Sequence, residues 1–315
     1  MLRVKFTASA LGLAAILSSG AALAAEPETC KAVHFADVGW TDIAATTGTA
    51  SVILEALGYT PDVQVLSVPV TYTSLKNKDI DVFLGNWMPT MEGDRKPYVD
   101  DKSVEVLGAN LEGAKYTLAV PSYTYDEGLK SFQDIAKFKD KLDGKIYGIE
   151  AGNDGNRLIL DMISKNKFDL GSFELVESSE AGMLAAVQKA VPGKQDVVFL
   201  GWEPHPMNTK IDMKYLEGGD DVFGPNYGGA TVYTNVRAGY ATECPNVGKF
   251  LKNLVFSLKM ENEIMGDILD NSAEPKAAAT AWLKKNPDAL TPWLAGVTTF
   301  DGGDASAAVK SALGL

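Results

Sequence analysis

Asp196-Val197-Val198-Phe199-Leu200-Gly201-Trp202, followed by Glu203-Pro204-His205-Pro206, is an apolar run closed by glycine and proline. Such a run reads as a buried strand ending in a loop, and this loop begins with a tryptophan. More than a hundred residues earlier the chain repeats the pattern as Asp81-Val82-Phe83-Leu84-Gly85-Asn86-Trp87, then Met88-Pro89. A third strand, residues 31–38, alternates through Val33 and Phe35 and ends in Gly39-Trp40-Thr41-Asp42. Open α/β sheets hold their ligands beyond the carboxyl ends of strands. Three tryptophans at such ends therefore predict one shared cleft.

Outward from these anchors, strands and helices alternate. Residues 43–57 form a helix with Ile43, Ala50, Leu54 and Leu57 on one face, Asp42 as its N-cap and Gly58 as its stop. Val63, Val65 and Val68 mark a second strand, and residues 71–77 a short helix that leads into 81–87. The turn-rich residues 108–113 read as a loop before a strand at 115–121, and this is taken as a crossing into a second lobe. A short helix at 131–138, a strand at 145–150 and a helix at 157–165 follow. Next comes a helix at 179–190 capped by Ser179, and residues 223–229 make the return crossing. Pro245 opens a helix with Phe250, Leu254 and Leu258 on its buried face. An Ala-rich final helix, 272–286, is ended by Pro287. The βαβ rhythm predicts an α/β fold with mostly parallel sheets flanked by helices. On this reading lobe I comprises 25–111 and 228–315, and lobe II is the insert 112–227.

Residues 1–24 read as an export signal: Arg3 and Lys5, an apolar middle at 8–17, and Ala22-Leu23-Ala24 as the cleavage pattern. The apolar run is too short to span a bilayer. The residues before Cys30 do not suit lipid attachment, so a soluble periplasmic protein is expected. Cleavage near Ala24 removes two basic residues and no acidic one, taking the formal charge from −12 to −14. That balance argues against nucleic acid, which calls for clustered Lys and Arg. Cys30 and Cys244, an even pair in an oxidising compartment, are expected to form a disulfide. With no CxxC and only two histidines, His34 and His205, a metal site lacks support. No HExxH, GxSxG or P-loop is present, so an exported hydrolase is the weaker alternative.

The residues gathered at the predicted strand ends and crossings are Trp40, Asp42, Trp87, Tyr116, Asn153 and Trp202. Four aromatics in one cleft suit a methylated ammonium head, which has no N–H for a carboxylate to accept. Aromatic faces attract its diffuse charge and bury its methyl groups, each contributing roughly 0.5–2 kcal/mol. The far end of a betaine would call for Arg, Lys or free N–H groups, whereas Asp42 and Asn153 suit a hydroxyl. Choline meets both requirements. A carbohydrate ligand is the alternative of a different class, and it would require more polar residues around the aromatics.

These segments carry a resemblance that spans essentially the whole mature chain. Val38-Gly39-Trp40-Thr41-Asp42, Leu84-Gly85-Asn86-Trp87-Met88-Pro89, Ala114-Lys115-Tyr116-Thr117-Leu118, Gly152-Asn153-Asp154-Gly155-Asn156, Leu200-Gly201-Trp202 and Ala281-Trp282-Leu283-Lys284-Lys285-Asn286-Pro287 resemble the glycine betaine/choline ABC-transporter family of periplasmic substrate-binding proteins. The likeness is greatest to its choline-binding members. The resemblance implies two α/β lobes of the type II-like kind, joined by two crossings and closing around the ligand. It implies an aromatic box of Trp40, Trp87, Tyr116 and Trp202, with Asp42 and Asn153 at the hydroxyl end and Asn156 in the same loop. It also implies a membrane permease with its cytoplasmic ATPase as partners. Neither a cofactor nor catalysis is expected, weaker binding of acetylcholine or glycine betaine is, and the protein is expected to act as a monomer.

Overall fold

The computed structural model describes residues 26–315. The expected export signal, residues 1–24, lies outside the described residues. The strands are β1 Ala32–Asp37, β2 Thr60–Val65, β3 Val82–Met88, β4 Val104–Pro121, β5 Lys145–Tyr147, β6 Glu174–Val176, β7 Phe199–Glu203, β8 Met213–Tyr215 and β9 Gly229–Arg237. They form one sheet in the order β2-β1-β3-β9-β4-β7-β5-β6, with β8 paired to β4. Pairing is parallel on both flanks (β1 with β2 and β3, β5 with β6 and β7) and antiparallel wherever β4 or β9 takes part. Each flank is thus a helix-covered parallel unit, and the two meet through the β4–β9 ribbon.

Helices of nine residues or more are α1 Thr41–Ala56, α2 Val68–Asn77, α3 Glu92–Asp100, α4 Asp154–Ser164, α5 Glu180–Ala190, α6 Pro245–Asn253, α7 Leu258–Asn271, α8 Pro275–Lys285 and α9 Ala305–Leu313. Helix α1 is buried along nearly its whole length because the sheet lies on one side and α7, α8 and α9 on the other. Its small residues permit that crowding. A Cβ on Gly48 would sit 3.0 Å from the Pro275 backbone of α8. Thr49 turns its hydroxyl back to the Ala45 carbonyl at 2.8 Å, which spares it an unpaired buried donor.

Several sequence expectations are corrected. Residues 108–113 are not a loop but part of the continuous strand β4, whose turn-type residues coincide with register shifts against β9 at 106/108, 109/111 and 111/114. Glycine there serves β-bulges, which bend a strand without ending it. Val68 begins α2 and does not extend β2. The helix opened by Pro245 stops at Asn253, and Leu254 leaves the helical conformation. Leu258 starts a separate helix, capped by the Ser257 hydroxyl, which accepts from Met260 N at 3.2 Å. The Ala-rich helix begins at Pro275, later than expected, and α9 follows it. Cys30 and Cys244 are joined in a disulfide that ties the entry to β1 to the start of α6.

Candidate functional site

Gly39 turns the chain out of β1 with a φ of +80°, a conformation that suits glycine, and presents Trp40 just before α1. The Trp40 indole N–H donates to Glu150 Oε1 at 2.7 Å. Asp42 is not the N-cap. It lies in the first turn of α1, and Trp40 holds the cap position without a side-chain cap. The orphan amide of Thr41 donates instead to Glu180 Oε2 at 2.9 Å. Freed from capping, the Asp42 carboxylate points inward. Its Oδ2 accepts from the Trp87 indole N–H at 3.1 Å, and its Oδ1 has no hydrogen-bond partner.

Trp87 reaches this point because Gly85, two residues before it on β3, leaves room for Ile43; a Cβ there would come within 2.8 Å of that side chain. Tyr116 and Trp202 face each other directly across the antiparallel β4–β7 pair. Their rings stand 6.2 Å apart at 83°, and Trp87 meets Tyr116 at 6.0 Å and 62°. Edge-to-face contacts of this kind favour the packing of the aromatics themselves. Trp40, Asp42, Trp87, Tyr116, Ile149 and Trp202 line a single small cavity. All four aromatic side chains are buried.

Five of the six expected site residues therefore meet in one cavity. Asn153 stands behind it. It is the N-cap of α4, its Oδ1 accepting from Asn156 N at 3.0 Å and from the Tyr116 hydroxyl at 2.9 Å. Asn156 is occupied with the backbone of Ile149 and Glu150 and with Glu177. Its role is to shape the loop that presents Ile149 and Glu150. Sequence reading missed Ile149, Glu150 and Glu180. Glu180 follows a recognised cap, Ser179, and so looked like an ordinary first-turn acid; its true partners are distant in sequence. His205 lies in the loop after β7, between two prolines, and is buried there with its ring 4.9 Å from that of Trp202.

The surroundings are strongly acidic. Burial, reinforced by the charge of Glu180, pushes the Asp42 carboxyl up to about 8. Desolvation raises Asp154 to about 7 and Asp37 to about 6, and it also raises Glu150 and Glu261. Among the described residues no lysine or arginine offsets Asp42 or Glu150. The donors lining the cavity are already engaged: the Trp40 and Trp87 N–H groups serve carboxylates, and the Tyr116 O–H serves Asn153. Chemically the cavity presents aromatic faces and one unsatisfied carboxyl oxygen. It is suited to a cation that cannot donate N–H bonds and carries an O–H.

Comparison with known proteins agrees with this fold. Residues 31–285 match the model of the OpuAC family, described as the substrate-binding domain of ABC-type glycine betaine transport systems. The structure resembles an ABC-transporter choline-binding protein in complex with choline, with a TM-score of 0.91 and 69% identity over 91% of this chain and 100% of that one. Against the same kind of protein in an unliganded semi-closed conformation the TM-score is 0.84, also at 69% identity over 91% and 100% of the two chains. Lactococcal OpuAC, closed on glycine betaine, is 29% identical with a TM-score of 0.75, over 84% of this chain and 99% of that one. The glycine betaine/carnitine transport binding protein GbuC of Listeria monocytogenes is 32% identical over 163 residues, which are 52% of this chain and 53% of its own.

Proposed function

This chain belongs to the OpuAC family, the substrate-binding domains of ABC-type glycine betaine transport systems, and on that premise we propose that it captures choline and hands it to an ABC transporter. Members of this family bind and deliver; they are not enzymes. The observation that carries the reading is the cavity itself, with four aromatic walls, one partnerless carboxyl oxygen and no basic side chain among its lining residues.

Choline fits each part. Its trimethylammonium group is attracted by the ring faces, at roughly 0.5–2 kcal/mol for each face; four faces sum to about 2–8 kcal/mol, the top of which approaches micromolar binding. Its hydroxyl can donate to Asp42 Oδ1. Glycine betaine shares the ammonium group but ends in a carboxylate, which here would meet an acid and donors already engaged elsewhere. A sugar would need several polar partners where Asp42 is the single one. Acetylcholine, lacking the hydroxyl donor, is expected to bind more weakly, as is glycine betaine.

In this reading Trp40, Asp42 and Trp87 belong to lobe I (25–111 and 228–315), while Tyr116 and Trp202 belong to lobe II (112–227). A ligand touching both sides stabilises the closed form in proportion to its differential contacts. The greater likeness to the choline complex than to the semi-closed structure supports a closed arrangement. The protein is proposed to work in the periplasm as a monomer, after cleavage near Ala24, and to dock on a permease coupled to an ATPase. Calorimetry with choline, glycine betaine and ethanolamine tests the assignment. Choline is expected to bind at least tenfold more tightly than either competitor, and tighter binding of glycine betaine would refute it.

A further inference from the structure

Glu180 makes more contacts across the site than any capping role requires. Its Oε2 accepts from the Thr41 amide at 2.9 Å and its Oε1 from the Thr41 hydroxyl at 2.5 Å. The same Oε1 lies 3.1 Å from His205 Nε2. His205 Nδ1 accepts from the Met207 amide at 2.9 Å, so its proton sits on Nε2 and is donated to Glu180. The carboxylate is 95% shielded from solvent and its three donors come from two separate segments. One is the start of α1, flanked by Trp40 and Asp42. The other is the turn after β7, where His205 packs on Trp202. Glu180 needs no capping function for its own helix, because Ser179 supplies the cap at 3.1 Å.

We infer that Glu180 is a positioning residue that locks the ligand in, by joining the Trp40–Asp42 wall of the cavity to the Trp202 wall once the two have met. The inference rests on the proposed binding function and adds to it a residue that never touches the ligand. A carboxylate placed at the amino end of the 16-residue α1 is favoured by the helix dipole as well as by its hydrogen bonds. The dipole and the two Thr41 bonds are lost when the walls separate, while the His205 bond stays within the Trp202 wall. Loss of Glu180 should therefore speed ligand escape and leave capture, which begins with the walls apart, almost unaltered.

The test uses the mature protein with Glu180→Gln, Thr41→Val and the double variant. Choline association and dissociation are followed by stopped-flow tryptophan fluorescence, and melting is measured without ligand. Each single variant is expected to raise the dissociation rate by about tenfold or more, the scale for a hydrogen bond to a charged group, with association within about threefold. The double variant should dissociate no faster than Glu180→Gln alone, because both changes cut the same link. Should Glu180→Gln fail to fold, Thr41→Val alone carries the test. An unchanged dissociation rate, or additive effects matched by an equal loss of ligand-free stability, would overturn the inference. Absence of choline binding by the unaltered protein would instead fail the function itself.

Discussion

Replacing Asp42 by asparagine and measuring choline affinity against pH tests the electrostatics of the cavity. Choline has no proton to lose near neutrality, so any pH dependence belongs to the protein. Without ligand the Asp42 carboxyl titrates at about 8 because it is desolvated and faces Glu180. A cation about 5 Å away at an effective dielectric near 20 favours the carboxylate by about 3 kcal/mol, which is roughly two pKa units. In the complex the group then titrates near ~6. Binding thus lowers its pKa: the added affinity is fully present above the ligand-free value and is lost as pH falls through the bound one. Affinity should rise about sixtyfold between pH 5.5 and 8.5. At pH 7 close to one proton should be released, read by calorimetry in two buffers of different ionisation enthalpy. Asp42→Asn should flatten the profile, match the unaltered protein at pH 5.5 and fall about sixtyfold short of it at pH 8.5. The neighbouring acids Glu180, Glu150 and Glu261 remain in the variant. An equal slope in Asp42→Asn would assign the proton to one of them, and a wild-type affinity constant within twofold would refute the reasoning outright.

Trp87→Ala and Trp202→Ala should each weaken choline binding by more than about tenfold in calorimetry while far-ultraviolet circular dichroism stays unchanged. Affinity like that of the unaltered protein in either variant would reject the aromatic box. The ligand-free protein should melt at a higher temperature at pH 5.5 than at pH 8. Asp37, Asp42 and Asp154, raised to about 6, 8 and 7, bind protons in the folded state that the unfolded chain has already released at these pH values. A melting temperature that rises with pH over this window would contradict that sign. Replacing Cys30 and Cys244 by serine opens a loop with a sequence separation of 214. This should lower stability by about 4–5 kcal/mol, or roughly 10 °C in melting temperature. Melting within 2 °C of the parent would show that the link adds little.

The cavity walls were legible because Trp40, Trp87 and Trp202 each follow a strand end announced by a short apolar run and a glycine. Tyr116 was picked because it follows the turn-rich residues taken as a crossing, and only the structure shows it on β4 opposite Trp202. Glu150 and Glu180 were not, since their meaning depends on Trp40 and Thr41, 110 and 139 residues away in sequence. No local pattern separates an acid that braces another segment from one that decorates a helix start. Asn153 shows the converse. Its loop drew notice for good reason, yet a cap that also holds the Tyr116 hydroxyl and a residue facing the cavity look alike in one dimension. The misreading of 108–113 has the same root: glycine marks a departure from regular backbone, and only the partner strand decides whether the chain turns or bulges.

The β4–β9 ribbon has a mechanical consequence. Side chains plug its irregular stretch: Asn110 donates to the Leu84 carbonyl at 2.8 Å and to Thr234 at 3.0 Å, while Asn86, Asn235 and Tyr72 bond to one another. A two-stranded strip riveted in this way resists sliding and twisting but can still flex like a leaf spring at its bulges. The flanks it joins are thereby restricted to one arc of approach. In the proposed cycle of opening and closing, the same surfaces would return to the same register, and the shape offered to each arriving molecule would be a repeatable gauge.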